Sequence, residues 1–369
     1  MNRLFRWDQM GLFLLALAAG ILPFAVPEVC AAALREGLTL CSGPLLLSLF
    51  PFLVVSRLLI QCPESDLLAL PFRLAAWGIG IRTPCAARVL CIGFLGGFAP
   101  AASAAAQAVR TGQLTAEEAD ALLPACICSG PSFVVLTVGQ SLLGSAELGV
   151  LLFASQITAN YLTAALLNRF AGVRSVKPGS AAPASHAPPR LDEILADAAI
   201  TYCKLCGFIL FFRMLAAGAG ALLPAGAGTL CSILLEVCSG CDLASRTGRW
   251  GSLLCCAALS VQGLSVLLQV RTICPPEMTL RPLYRSKLLH LPLSLALFYL
   301  LLPSGEADVF STLPARVLLM RRVPPDCALL VFAVCCMAAC TLRSGIRQVE
   351  QKQMARNAGG CCINSKTLL

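Results

Sequence analysis

The sequence predicts an all-α, polytopic membrane protein of about eight transmembrane helices plus two re-entrant hairpins, arranged as an inverted internal repeat. Three observations lead there. The 369 residues are 57% hydrophobic and 13% charged, against roughly 25% charged in soluble domains. The apolar residues come in blocks of about 17–25, the length that crosses a hydrocarbon core. Lys and Arg, which give a net charge of +9, sit between the blocks rather than along one folded face. Topology places charge in that way, whereas a nucleic-acid surface needs a basic stripe.

In lipid the backbone must satisfy its own hydrogen bonds, so the blocks are helices; the dyad alternation of a membrane barrel is missing. Residues 1–37 hold Arg3 and Arg6 and then the apolar run 10–26. That pattern has the outline of a secretory signal but is long enough for an uncleaved first span. Further spans are expected at 38–60, 119–142, 147–168, 200–223, 250–271, 287–303 and 325–343. The segments 87–108 and 226–245 are also apolar, but small and polar residues interrupt them. The first breaks at Gly96-Gly97-Phe98-Ala99-Pro100, the second at Cys238-Ser239-Gly240-Cys241-Asp242. Each break leaves halves of about eight to ten residues, too short to span alone. Both segments therefore read as hairpins, with Gly96, Gly97, Pro100, Gly240 and Asp242 as tips; a kinked ordinary helix is the alternative.

Counting them as hairpins makes the charge pattern consistent. Arg73 and Arg82, the 170–190 linker with Arg174, Lys177 and Arg190, the loop with Arg281, Arg285 and Lys287, and the tail with Arg343, Arg347, Lys352 and Arg356 all become cytoplasmic, as do both termini. The loop 304–324 goes against the rule, since it falls outside yet holds Arg316, Arg321 and Arg322. After the linker, Leu191, Ile194, Leu195, Ala198, Ala199 and Tyr202 recur at helical spacing opposite Asp192, Glu193 and Asp197. This predicts an amphipathic interfacial start to the next span.

The chain then divides into an N-terminal helix (1–37), a first repeat (38–169), the cytoplasmic linker (170–190), a second repeat (191–303) and a C-terminal helix with a basic tail (304–369). The run Phe52-Leu53-Val54-Val55-Ser56-Arg57-Leu58-Leu59 matches Phe208-Ile209-Leu210-Phe211-Phe212-Arg213-Met214-Leu215, and Gly130-Pro131-Ser132-Phe133-Val134 matches Gly263-Leu264-Ser265-Val266-Leu267. Each half runs span, broken segment, span with a glycine interruption, span. The first spans of the two halves have opposite sense, so the repeat is inverted, an arrangement found in transporters.

Interrupted helices leave backbone groups that are tolerable only against protein, a cavity or a solute. Candidate substrate-binding residues are therefore those at the interruptions: Ser129, Gly130 and Ser132 in one half, and Glu236, Ser260, Gln262, Gly263 and Ser265 in the other. Arg213, about midway through a span, costs roughly 2.5–3.5 kcal/mol to insert unless it finds a partner. Glu236, Asp242 or a freed carbonyl are the candidates, with snorkelling as the alternative; for Arg57 snorkelling is the preferred reading. The 21 Cys lie mostly inside apolar blocks and read as packing residues. The pairs Cys203/Cys206 and Cys238/Cys241 lack converging ligands for a metal. No catalytic triad spacing and no Walker loop appear, which argues against an enzyme, a cofactor or direct ATP use.

The runs Leu49–Ser56, Gly96–Ala102, Thr111–Ala119, Ser129–Phe133, Glu236–Gly240 and Ser260–Val266 together resemble the YlbJ family of sporulation integral membrane proteins. That family carries the nucleoside recognition or Gate domain, shared with concentrative nucleoside transporters and the membrane region of ferrous-iron transporters. The resemblance spans about residues 38–303. It implies a sporulation-associated protein of the cell membrane and a transporter-like pathway for a small polar, nucleoside-like solute. The implied partners are the bilayer and that solute, with a homo-oligomer compatible and no nucleic acid. A non-transporting membrane scaffold of a sporulation complex is the alternative function. At the first break the sequence departs from the family pattern, with the proline displaced and one glycine lost.

Overall fold

The computed structural model describes residues 2–61, 63–172 and 191–302. The expected span at 325–343, the loop 304–324, the tail and most of the linker lie outside the described residues.

The described chain is helical throughout, without strands. It begins with α1 (Asn2–Ala25), α2 (Pro27–Ser42) and α3 (Pro44–Gln61), followed by α4 (Leu70–Gly78). Two short helices, α5 (Pro84–Gly96) and α6 (Phe98–Arg110), precede α7 (Ala116–Cys126), a π-type helix (Ser132–Leu142) and α8 (Ala146–Ala171). The second half holds α9 (Leu191–Leu222), α10 (Ala225–Leu235), α11 (Val237–Ser245), α12 (Gly251–Val261), α13 (Gly263–Ile273) and α14 (Arg281–Leu301). By length and composition three of these stretches can cross a membrane: Ala146–Ala171, Leu191–Leu222 and Gly248–Ile273. A fourth is the pair Phe13–Ala25 and Pro27–Ser42, bent by 110°.

The surface supports the same conclusion from the opposite direction. Phe24, Phe170, Leu288, Leu300 and Leu74 are each more than 70% exposed. Exposed large apolar side chains on this scale are compatible with a lipid-facing surface.

Residues 27–37 fall between the predicted spans at 10–26 and 38–60. They are the first turns of α2, opened by Pro27 at its N-terminus and Glu28 in the first turn. The helical path therefore runs from 27 to 61 with a kink at Gly43. This path lies antiparallel along α9. Gly37 faces Leu210, the Tyr202 hydroxyl donates to the Cys41 carbonyl, and Arg57 reaches Asp197.

Two helix hairpins pack against the bundle. α5 and α6 fold back on each other, so that a Cβ on Gly93 would meet Ala101 at 3.2 Å and one on Gly96 would meet Pro100 at 2.9 Å. α10 and α11 do the same through Gly240, whose Cβ would stand 2.8 Å from Ile233 Cα. Small residues make such close approach possible where no water drives helices together. Ala101, Ala102, Ala104, Ala105 and Ala108 of α6 are all buried and form the middle of the main core with Ala119, Ala121 and Leu122 of α7.

The loop Thr111–Ala119 starts α7 with a capping box: the Thr115 hydroxyl accepts from Glu118 N–H while the Glu118 carboxylate accepts from Thr115 N–H. The same carboxylate accepts from Thr83 at 2.6 Å, which ties the start of α7 to the start of α5.

Candidate functional site

Four places where a helix is broken meet in the interior. The first lies between α5 and α6 at Gly97, which takes φ +80°. No L side chain adopts that conformation cheaply, and there is no room for one, since its Cβ would fall 2.6 Å from Gly130 N and 2.9 Å from Gly130 Cα. Gly130 belongs to the second break, residues 127–131, where α7 ends and the π-type helix has not yet begun.

The second break touches the third through side chains. Ending α7 at Cys126 leaves the Ile127 carbonyl without a helical donor, and an unpaired buried carbonyl costs about 1–3 kcal/mol. Two amides answer it: Asn160 Nδ2 of α8 at 3.4 Å and Gln262 Nε2 at 3.2 Å. Gln262 is the third break, the residue between α12 and α13, held left-handed at φ +63°. Its own Oε1 accepts from Lys287 Nζ of α14 at 2.8 Å. One buried amide thus links a carbonyl of the first half to an ammonium of the second.

The third break touches the fourth through backbone. A Cβ on Gly263 (φ +68°) would stand 2.9 Å from Glu236 N and from the Leu235 carbonyl. Here α10 stops and α11 starts. Glu236, 2% exposed, caps α11 by accepting from Cys238 N–H at 2.9 Å and Ser239 N–H at 2.7 Å. A carboxylate at the positive end of a half-helix is stabilised by the peptide dipoles. Its oxygens are therefore engaged by its own chain.

Beside this line of contacts lies a buried polar cluster. Ser260 of α12 donates to the Cys256 carbonyl at 2.7 Å and accepts from Gln156 Nε2 at 3.0 Å; its hydroxyl also meets that of Ser294. His290 places Nε2 3.2 Å from the Gln156 carbonyl, while its Nδ1 has no hydrogen-bond partner among the described residues. Gln269 donates to Ser265 at 2.8 Å, and its Oε1 is likewise unpartnered among them. Amides and hydroxyls with spare acceptor capacity thus lie buried next to backbone released from helical pairing.

Of the residues singled out from the sequence, Gly96, Gly97, Ser129, Gly130, Glu236, Gln262 and Gly263 stand at the breaks or beside them, with Ser260 and Ser265 in the adjoining turns. Ser132 opens the π-type helix and is half-buried. Three others lie elsewhere. Pro100 is buried in the first turn of α6, past the tip. Gly240 and Asp242 lie inside α11, because the second hairpin turns at Glu236 rather than at 238–242. The cluster of small residues after Val237 is helical because Glu236 caps it, an effect that a search for glycines misses. Asp242 pairs with Arg246 at 2.7 Å along the exposed part of α11.

The two matched arginines also find unexpected partners. Arg213 reaches Glu36 of α2 at 2.7 Å, not Glu236 or Asp242. Arg57, expected to snorkel, is 7% exposed and donates to Asp197 at 2.6 Å, Thr201 at 3.2 Å and Ser103 at 3.3 Å.

Lys287, read from the sequence as a loop cation, belongs instead to α14, half-buried against Gln262. Gln156, Lys287 and His290 were not legible as site residues. The one available signal was that polar residues in α8 and α14 share a helical face, Ser155, Gln156, Asn160 and Thr163 in one and Lys287, His290 and Ser294 in the other.

The chain was compared with family models, with curated proteins and with solved structures, and none of the three contains a match.

Proposed function

We propose that this protein is a transporter-like membrane protein whose solute pathway passes the four converging breaks. The observation that carries the reading is the continuous contact Gly97–Gly130, Ile127–Gln262–Lys287, Gly263–Glu236. Backbone freed from helical pairing deep in an apolar bundle is costly, and it is kept where a polar solute or ion uses it.

The order of elements supports an inverted repeat. A long helical path, a helix hairpin, a helix interrupted by a break and an uninterrupted helix occur as α2–α3, α5–α6, α7 with the π-type helix, and α8. They recur as α9, α10–α11, α12–α13 and α14. The first hairpin opens toward the end of the bundle where α3 finishes, since Arg88 of α5 donates to the Ile60 carbonyl at 2.7 Å and to Gln113 at 2.9 Å. The second follows α9 after a short turn and opens toward the opposite end. Two crossed ion pairs, Arg57–Asp197 and Arg213–Glu36, join the antiparallel leading helices. The Gate-like resemblance and a nucleoside-like solute class are proposed on the same reading.

Transport by the purified full-length chain in proteoliposomes tests the proposal, with nucleosides and other small uncharged or zwitterionic solutes as cargo. The expected result is saturable flux of at least one class, strongly reduced in Ser265→Ala or Gln262→Ala at unchanged reconstitution. Absence of flux and of binding for every class, combined with tight co-purification of a fixed membrane partner, would instead favour the scaffold reading.

A further inference from the structure

A second polar site lies away from the breaks. Between α3, α6, α9 and α13 there is an open cavity of about 140 Å³ lined by Arg57, Ser103, Arg110, Asp197, Thr201, Lys204 and Thr272 and by four apolar residues. Ser103 is six residues along α6 from Gly97, and Thr272 nine residues along α13 from Gly263. At about 1.5 Å per residue the cavity is roughly 9–14 Å from the breaks, along two half-helices that begin there.

The charges in this cavity do not balance. Arg57, Arg110 and Lys204 contribute three cations, and Asp197 is the one anion. Asp197 is engaged by Arg57, while neither Arg110 nor Lys204 makes an ion pair with a described residue. Arg57 forms the floor. Of its five N–H donors, one is used on Ser103, one on Asp197 and one on Thr201. Two remain on a guanidinium that is 7% exposed. A planar fork with free donors, flanked by two further cations and by hydroxyls, is the arrangement that binds phosphate oxygens. Size points the same way. Drug-sized organic ligands occupy about 300–1,000 Å³, whereas this smaller volume suits a compact group such as a phosphate with its waters.

We propose that this cavity binds a phosphate-bearing anion, either the headgroup of an anionic lipid or a free phosphate, through Arg57, Arg110 and Lys204. The site does not depend on the transport reading.

The test uses the full-length chain purified in zwitterionic detergent. One arm follows retention of phosphatidylglycerol against phosphatidylcholine by native mass spectrometry; the other follows radiolabelled inorganic phosphate by equilibrium dialysis. The variant Arg110→Gln/Lys204→Gln alters only exposed side chains. The matched control Arg281→Gln/Arg285→Gln removes the same charge from exposed positions on α14 outside the cavity.

Binding in either arm is expected to weaken about tenfold or more in the first variant, as the loss of two cations at an anionic ligand implies, and to stay within about twofold in the control. Asp197→Asn, which removes the single carboxylate, should tighten it. Preference for phosphatidylglycerol with no phosphate binding identifies a lipid headgroup, and the converse identifies a free anion. No binding in either arm, or equal loss in variant and control, overturns the proposal.

Discussion

Gln262 bridges the two halves, so its removal should cost more than an exposed glutamine would. Gln262→Ala removes the hydrogen bond to the Ile127 carbonyl and the one to the Lys287 ammonium. The first is worth about 1 kcal/mol and the second, being charge-assisted, about 1.5–3 kcal/mol. Asn160 still answers the carbonyl, though at 3.4 Å, which discounts the sum to about 2–3 kcal/mol.

The backbone supplies an internal control. At φ +63° a left-handed L residue costs about 1–2 kcal/mol, and glycine escapes that while losing more entropy on folding. Gln262→Gly should therefore be less destabilising than Gln262→Ala by about 0.5–1 kcal/mol. Reversible unfolding in mixed micelles, followed by circular dichroism, measures both. A double-mutant cycle with Lys287→Met isolates the bridge and should give a coupling of at least about 1 kcal/mol. If Gln262→Ala and Lys287→Met prove additive, or if the glycine variant is the less stable of the two, the bridging argument fails.

Two further substitutions probe the breaks. Gly97→Ala puts a methyl group 2.6 Å from Gly130 N at a positive φ; it should destabilise by about 2 kcal/mol or more, whereas Gly207→Ala, in open space on α9, should be neutral or slightly stabilising by the same unfolding assay. Glu236→Ala leaves two N–H groups of α11 uncapped and should cost about 1–2 kcal/mol, with Glu236→Gln recovering part of it; equal effects of the two would mean that the carboxylate does not act as the cap.

The sequence by itself determined the helical class of fold and three of the four positions where helices fail. Apolar blocks separated by basic residues demand membrane helices, because a backbone in lipid satisfies itself in no other simple way. The glycine at 97, the Gly-Pro at 130–131 and the Gln-Gly at 262–263 were legible as breaks, since glycine and proline end helices for local reasons. The exact turn of the second hairpin was not legible: Glu236 works by accepting from backbone N–H groups two and three residues on, and composition favours the glycine-rich stretch beyond it. Residues 27–37 fall between the predicted spans 10–26 and 38–60, and in the structure they are helix packed along α9.

What only the tertiary structure decided is which breaks face one another and which charges find partners. Ile127 and Gln262 are 135 residues apart, Arg57 and Asp197 140, and Arg213 and Glu36 177. Local propensity carries no information over such separations. A buried carbonyl, guanidinium or ammonium states a need for a partner, and the packing of small-residue helices determines which side chain meets it.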